Sequence, residues 1–166
     1  MRRLFPAFWV LFLAGCGYSL GPTGGATAGS RSVQVIPFAN RTQEPRISEY
    51  LAASMRRRFQ QDGTFRLETG GAADIQLTGE IVRFHRVPLS YATNDPISPQ
   101  EYLLQLTAKM TARETASGKP GVTRLIQGKT YIRAGADLAS AERENMPVLT
   151  DDLARNAVAA LVDGVW

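Results

Sequence analysis

The stretch Tyr102-Leu103-Leu104-Gln105-Leu106-Thr107-Ala108-Lys109-Met110-Thr111-Ala112-Arg113 decides the fold of this 166-residue chain. Apolar side chains occupy its even-numbered positions, and its odd-numbered positions are polar apart from Leu103. Successive side chains of a β-strand point to opposite faces of the sheet, and so the alternation predicts one long strand. One face of that strand is covered and the other is wetter, which is typical of an antiparallel sheet.

Shorter segments on both sides of this stretch predict further strands. Residues 32–38, 64–69, 75–84 and 123–132 are rich in β-branched and aromatic residues and are separated by Gly and Pro turns. Within 75–84 the apolar phase shifts by one residue after Ile81, which predicts a β-bulge and turns Arg83 and His85 away from the core. Residues 88–96, bounded by prolines, are predicted to form a loop that carries Leu89 and Tyr91.

Two segments have helical periodicity. Ile47, Leu51, Met55 and Phe59 recur every four residues, and Leu149, Leu153, Ala157, Ala160 and Leu161 form a second apolar stripe that ends at Gly164. Pro147 is expected to start the second helix, or to separate it from a short helical piece around residues 141–145, which places Asp151 and Asp152 near a helix N-terminus. The prediction is an α+β fold, with two helices packed on one face of a small, mostly antiparallel four- to five-stranded sheet. A single domain is expected over residues 33–166.

The N-terminus has the features of a secretory signal. A basic head is followed by about ten apolar residues, too few to span a membrane, and then by Leu13-Ala14-Gly15-Cys16. These four residues resemble the lipobox of bacterial lipoproteins. That resemblance implies removal of residues 1–15 and attachment of diacylglycerol and an N-acyl chain, typically palmitate, to Cys16. The alternative is cleavage elsewhere, which would leave an unpaired thiol in an exported chain.

The residues after Cys16 predict a tether. Residues 16–32 are dense in Gly, Ser and Thr and read as a flexible linker. The alternative, a phosphate-cradling loop, lacks a preceding strand and a Gly-Lys-Ser/Thr ending. By family resemblance, Gly17 in the place where inner-membrane lipoproteins carry Asp indicates the outer membrane.

Composition and motifs argue against an enzyme or a nucleic-acid-binding protein. Arg2 and Arg3 contribute two of the four net positive charges, and so the remaining chain is only mildly basic. The sequence has no nucleophile elbow, and its one histidine, His85, cannot supply a metal-binding cluster. Gly128-Lys129-Thr130 resembles the end of a phosphate-binding loop, but Thr123 stands where that motif requires glycine. We therefore predict no metal, no cofactor beyond the covalent lipid, and no catalytic residue.

Four stretches together carry a resemblance to a known family. They are Gly17-Tyr18-Ser19-Leu20, the segment 33–42 with its Ile36-Pro37-Phe38 and Asn40-Arg41-Thr42, the segment 73–81, and Pro88-Leu89-Ser90-Tyr91. In this order they resemble the lipopolysaccharide-assembly lipoprotein family LptE, in the divergent form found outside enteric bacteria. Members of that family fold as two helices against a small sheet.

The resemblance implies a non-enzymatic lipoprotein on the periplasmic side of the cell outer membrane. LptE-like proteins plug and help to assemble the β-barrel LptD, and they bind lipopolysaccharide during its delivery to the outer leaflet. On this basis the lipid A phosphates are expected to meet a shared basic face of the strands, formed by Arg83, Arg86, Lys109, Arg113 and Lys129. Leu89 and Tyr91 are expected to contact the barrel, or else the loop folds back and buries Tyr91.

A second class of binding module is kept as the alternative. The segment 33–42 also resembles outer-membrane lipoproteins of the curli-secretion or peptidoglycan-synthase-activator type. The short linker disfavours a long reach to a synthase, and Pro88-Leu89-Ser90-Tyr91 disfavours both types.

Overall fold

The computed structural model describes residues 28–92, 95–134 and 137–164. Within these ranges the elements run in the following order: β1 Arg31–Val35, β2 Ala39–Asn40, α1 Ile47–Asp62, β3 Phe65–Leu67, β4 Ile75–Ala92, β5 Asp95–Glu114, β6 Val122–Arg133 and α2 Leu138–Val162. Neither described helix is long and apolar enough to cross a membrane.

All the described strands belong to one sheet, ordered β3-β1-β4-β5-β6, with β2 beside β4. The three long strands β4, β5 and β6 pair antiparallel, whereas β1 lies parallel to β3 and β4, and β2 lies parallel to β4. The α+β prediction is confirmed, although the sheet is mixed. The parallel pair arises because α1 connects β1 to β3 as a crossover, which returns the chain in the same direction. The two-residue β2 brings the number of strands to six, one above the predicted range.

The prediction of a loop over residues 88–96 is wrong. β4 continues to Ala92 and β5 begins at Asp95, so the two strands form a long hairpin. Register shifts between Pro88, Ser90, Tyr91 and Ala92 accommodate the irregular pairing. Proline cannot donate to a sheet ladder, but it is tolerated here because β4 has no described strand on its outer side beyond β2.

The predicted β-bulge is confirmed. Ile81 pairs with Ala108, but Arg83 pairs with Thr107, so β4 gains one residue at this point. Because side chains alternate along a strand, this extra residue exchanges the two faces of β4. Beyond the bulge, Phe84 packs against the core, whereas Arg83 and His85 are exposed.

Both helices pack on one face of the sheet, as predicted. Ile47, Leu51, Met55 and Phe59 are buried on α1, as their spacing indicates. The expectation that Pro147 starts or breaks the second helix is wrong, because α2 runs through it. A proline inside a helix costs about 3 kcal/mol. The neighbouring Met146 and Leu149 are buried in the core, and their packing offsets that cost.

Polar contacts join the two helices. Ser54 Oγ and Thr150 Oγ1 lie 3.1 Å apart in the buried interface. Asp151 accepts hydrogen bonds from Arg58 and Arg57, and these interactions lower the pKa of its carboxyl group, with Arg58 the main cause. Because α2 begins at Leu138, Asp151 and Asp152 lie inside the helix rather than at its N-terminus. Asp151 joins α2 to α1, whereas Asp152 accepts a hydrogen bond from the Lys129 N–H of β6.

Candidate binding face of the sheet

The face of the sheet opposite α1 and α2, called the open face, is not covered by any described element. Its residues lie in rows across β4, β5 and β6 that follow from the strand register. His85, Gln105 and Lys129 form one row, and Arg83, Thr107 and Gln127 form the next.

Three predicted site residues lie on the open face of three neighbouring strands. Arg83 is on β4, Lys109 on β5 and Lys129 on β6, and all three are exposed. We call them the open-face cations. From the register and ordinary sheet spacing, their Cα atoms lie about 8 to 14 Å apart. Long side chains at such separations can reach one multivalent anion.

The open-face cations are free of internal ion pairs. None of their side chains has a hydrogen-bond or ionic partner among the described residues. Two nearby carboxylates on β4 and β5 are already engaged, because Arg41 Nε lies 3.3 Å from Glu80 Oε2 and Arg133 Nη2 lies 2.9 Å from Glu101 Oε1. A third carboxylate, Asp152 on α2, accepts from the backbone N–H of Lys129 and is paired with Arg155. The hydrogen bond from Arg133, together with one from Ser90, lowers the pKa of Glu101. Uncompensated positive charge on one face attracts anions.

Arg113 is also exposed on the open face but lies farther along β5. It is four residues beyond Lys109, about 14 Å along the strand, and its Nη2 donates to Gln76 Oε1 at 2.8 Å. The structure therefore places Arg113 at the margin of the open-face cations.

Arg86 lies on the opposite side of the sheet, and the expectation that it shares a face with the other four is wrong. Its guanidinium donates to Glu142 on α2, with 2.9 Å between Nη2 and Oε2, and to Glu44 before α1 at 2.5 Å. Glu142 is buried, and its hydrogen bond is the main cause that raises the pKa of Arg86. The guanidinium also lies 4.8 Å from the ring centre of Phe84. Arg86 thus joins β4 to both helical segments.

The predicted partner contacts lie on the extended hairpin. Leu89 and Tyr91 are about half exposed, and Ile97 on the facing strand is 85% exposed. The alternative in which the segment folds back and buries Tyr91 is wrong, because Tyr91 stands on a strand of the hairpin. Contact with a barrel stays a prediction.

Two further predictions concern other chemistry. Cys16 and nearly all of the linker lie outside the described residues, so acylation stays a prediction. His85 is exposed on the open face, and no group of three or more metal-ligating side chains occurs in the described part of the chain.

Sequence reasoning missed an apolar row on the open face. Val87 pairs with Leu103, and Leu103 pairs with Tyr131. The available signal was Leu103, the apolar residue at an odd position of an otherwise regular alternation. Val87 was a second signal, because the predicted bulge after Ile81 places it in phase with Arg83 and His85.

Comparison with known proteins defines the family. The model of the LptE family, described as lipopolysaccharide-assembly, matches residues 30–163. No curated protein matches the sequence.

Several solved structures are similar in fold. Protein XCC0632 from Xanthomonas campestris has a TM-score of 0.59 at 11% identity, covering 85% of this chain and 89% of that one. The minor lipoprotein from Acinetobacter baumannii has a TM-score of 0.54 at 12% sequence identity, covering 81% of this chain and 94% of that one. The PelC L103M dodecamer from Paraburkholderia phytofirmans has a TM-score of 0.51 at 15% sequence identity, covering 84% of this chain and 94% of that one. Identities this low indicate a shared fold only. Because the family match spans almost all the described residues, this chain belongs to the LptE family of lipopolysaccharide-assembly lipoproteins.

Proposed function

We propose that this protein is an outer-membrane lipoprotein that plugs and helps to assemble an LptD-type β-barrel and binds lipopolysaccharide during its delivery. Membership of the LptE family supports the assembly role. The observation that carries the binding role is the set of three exposed cations, unpaired among the described residues, on one sheet face.

The polarity of the surface suits a plug. The interior of a large outer-membrane barrel is polar. The open face presents mainly threonine, glutamine, arginine and lysine side chains on the middle of β4, β5 and β6. Such a face can meet a polar wall or a bound ligand without burying unpaired carboxylates.

The cations suit the phosphates of lipid A. Hydrogen bonds between a charged donor and a phosphate oxygen are roughly twice as strong as neutral ones. Arg83, Lys109 and Lys129 can each donate to a phosphate, with Arg113 at the edge of the same face. Arg86 already has two carboxylate partners, and in this proposal it holds β4 in place beneath the site.

Charge reversal tests the phosphate role. In the acylated full-length protein in detergent, Arg83→Glu combined with Lys109→Glu should weaken binding of purified lipopolysaccharide at least tenfold. The matched control is Arg56→Glu with Lys119→Glu, which makes the same charge change at exposed residues of α1 and of the turn between β5 and β6. If the control weakened binding equally, the effect would come from the overall charge of the protein. If the test variant bound lipopolysaccharide as tightly as the unsubstituted protein, the open-face cations would not be the phosphate site.

The barrel contact has a separate test. Leu89→Ala with Tyr91→Ala should reduce the amount of barrel that copurifies with the protein. Val148→Ala, at an exposed apolar residue of α2, is the control. Full copurification of the double variant would mean that the hairpin is not a barrel contact.

The anchor is tested at Cys16. Cys16→Ser should abolish incorporation of labelled palmitate and release the protein from the membrane fraction. Continued labelling of the serine variant would place the lipid on another residue.

A further inference from the structure

Three large side chains form an apolar row across the open face. Val87, Leu103 and Tyr131 lie directly opposite one another on β4, β5 and β6. Directly opposed side chains on neighbouring strands are about 5 Å apart, close enough to form one continuous surface. Val87 is 38% exposed and Tyr131 is 65% exposed, so this surface faces outward. We call these residues the apolar row.

The apolar row borders the open-face cations. The adjacent row, about 7 Å away along the strands, contains Lys129, and the next contains Arg83. On the hairpin side the row is limited by the ion pair between Arg133 and Glu101. The open face therefore changes from apolar to cationic in one direction along the strands.

We propose that the apolar row receives acyl chains of one bound lipopolysaccharide molecule, while the open-face cations receive its phosphates. This inference rests on the proposed function and adds the orientation of the ligand. The chains lie at the hairpin end of the open face, and the phosphates lie over the middle of the sheet. Charge complementarity favours this occupant, because an anionic lipid combines both chemistries at the spacing the face presents.

A single lipid fits better than the surface of a bilayer. At the same level of the sheet, the helix side carries the ion cluster of Arg86, Glu142 and Glu44. Charged groups are costly to place in hydrocarbon. Immersion of this end of the domain would bring that cluster toward the membrane interior, whereas a single molecule on the open face leaves it undisturbed.

The test compares two ligands with the same acylated full-length protein in detergent. Intact lipopolysaccharide carries phosphates and acyl chains, whereas fully deacylated lipopolysaccharide keeps the phosphates alone. Val87→Thr combined with Tyr131→Thr removes apolar surface while keeping β-branched residues that suit a strand. Val148→Thr is the matched control, since Val148 is 54% exposed and lies on α2, on the opposite side of the sheet from the open face.

We expect the double variant to bind intact lipopolysaccharide about tenfold more weakly, equivalent to about 1.4 kcal/mol. It should bind deacylated lipopolysaccharide as tightly as the unsubstituted protein, and the control should match that protein on both ligands. If the double variant lost the same affinity for both ligands, or lost affinity for neither, the proposed orientation of the bound lipopolysaccharide would be wrong.

The two proposals fail in different ways. An unsubstituted protein that bound neither ligand would refute lipopolysaccharide binding itself. One that bound both ligands, with an unaffected apolar-row variant, would refute only the orientation.

Discussion

Replacing Gly128 by alanine tests how closely α2 lies against β6. A Cβ atom built on Gly128 would stand 2.6 Å from the Cβ and backbone nitrogen of Leu153, and 2.8 Å from its Cα. Separations this short essentially never occur, and two of the three atoms belong to the helix backbone. The helix must therefore move away from the strand to admit the methyl group.

The cost can be estimated from the contacts that hold the two elements together. Overpacking a closely packed site costs about 1–3 kcal/mol. Two hydrogen bonds flank Gly128: the Lys129 N–H donates to Asp152 at 2.9 Å, and Asn156 donates to the Gln127 carbonyl at 2.8 Å. Each is worth about 0.5–1.5 kcal/mol, and a displaced helix weakens both. We expect Gly128→Ala to lower the free energy of unfolding by roughly 2–5 kcal/mol, or the melting temperature by roughly 6–20 °C.

Urea unfolding of the protein, followed by circular dichroism, measures this loss. Gly70→Ala is the matched control, because an added Cβ at Gly70 meets nothing within 4 Å and its backbone is not left-handed. If the two variants unfolded within about 0.5 kcal/mol of each other, the usual range for surface substitutions, α2 would not approach β6 as described. The reasoning about Gly128 would then be refuted.

Other predictions concern the sheet edge and the charged groups. Asp152→Ala leaves the outward amide of Lys129 unpaired on an edge strand, and so we expect faster hydrogen exchange at that amide and concentration-dependent self-association in sedimentation; slow exchange and a monomer would contradict this. Arg86→Met leaves the buried carboxylate of Glu142 unpaired and should cost about 1–3 kcal/mol of stability in urea, discounted because Arg86 is partly exposed. A further Glu142→Gln change should restore part of the loss, and no loss at all would count against the cluster. The folded pKa of Asp151 is depressed, so its stabilising contribution is complete above about pH 4 and is lost as the pH falls through the folded pKa. Asp151→Asn should therefore flatten the acid limb of a stability titration, and an unchanged limb would show that this carboxylate is not coupled to folding.

Much of the fold follows from local patterns in the sequence. The alternation around Leu106 and the four-residue repeat around Leu51 are periodic over many residues, and the elements they predict are present. The N-terminal half of α2 was predicted only as a separate short helical piece around residues 141–145, because Pro147 breaks the pattern and the sequence does not display the tertiary packing that joins the two halves. The parallel pairing of β1 was also missed, since a strand's partners are set by distant segments such as β3.

The candidate site was predictable only in part. Arg83, Lys109 and Lys129 share a face because strand alternation fixes their direction. Arg86 does not, because it lies three residues after Arg83 on the same strand, and alternation turns the two side chains to opposite faces of the sheet. The extent of the hairpin was hidden by its prolines, which are typical of loops but are accepted where a strand has a free edge.

The composition of the complex purified from the native outer membrane in mild detergent tests the central claim most directly. We predict an LptD-type β-barrel in a one-to-one ratio with this protein, still present after the membrane lipids are exchanged. A self-oligomer, or a cell-wall synthase in place of the barrel, would contradict the proposed function and favour the alternative class of lipoprotein.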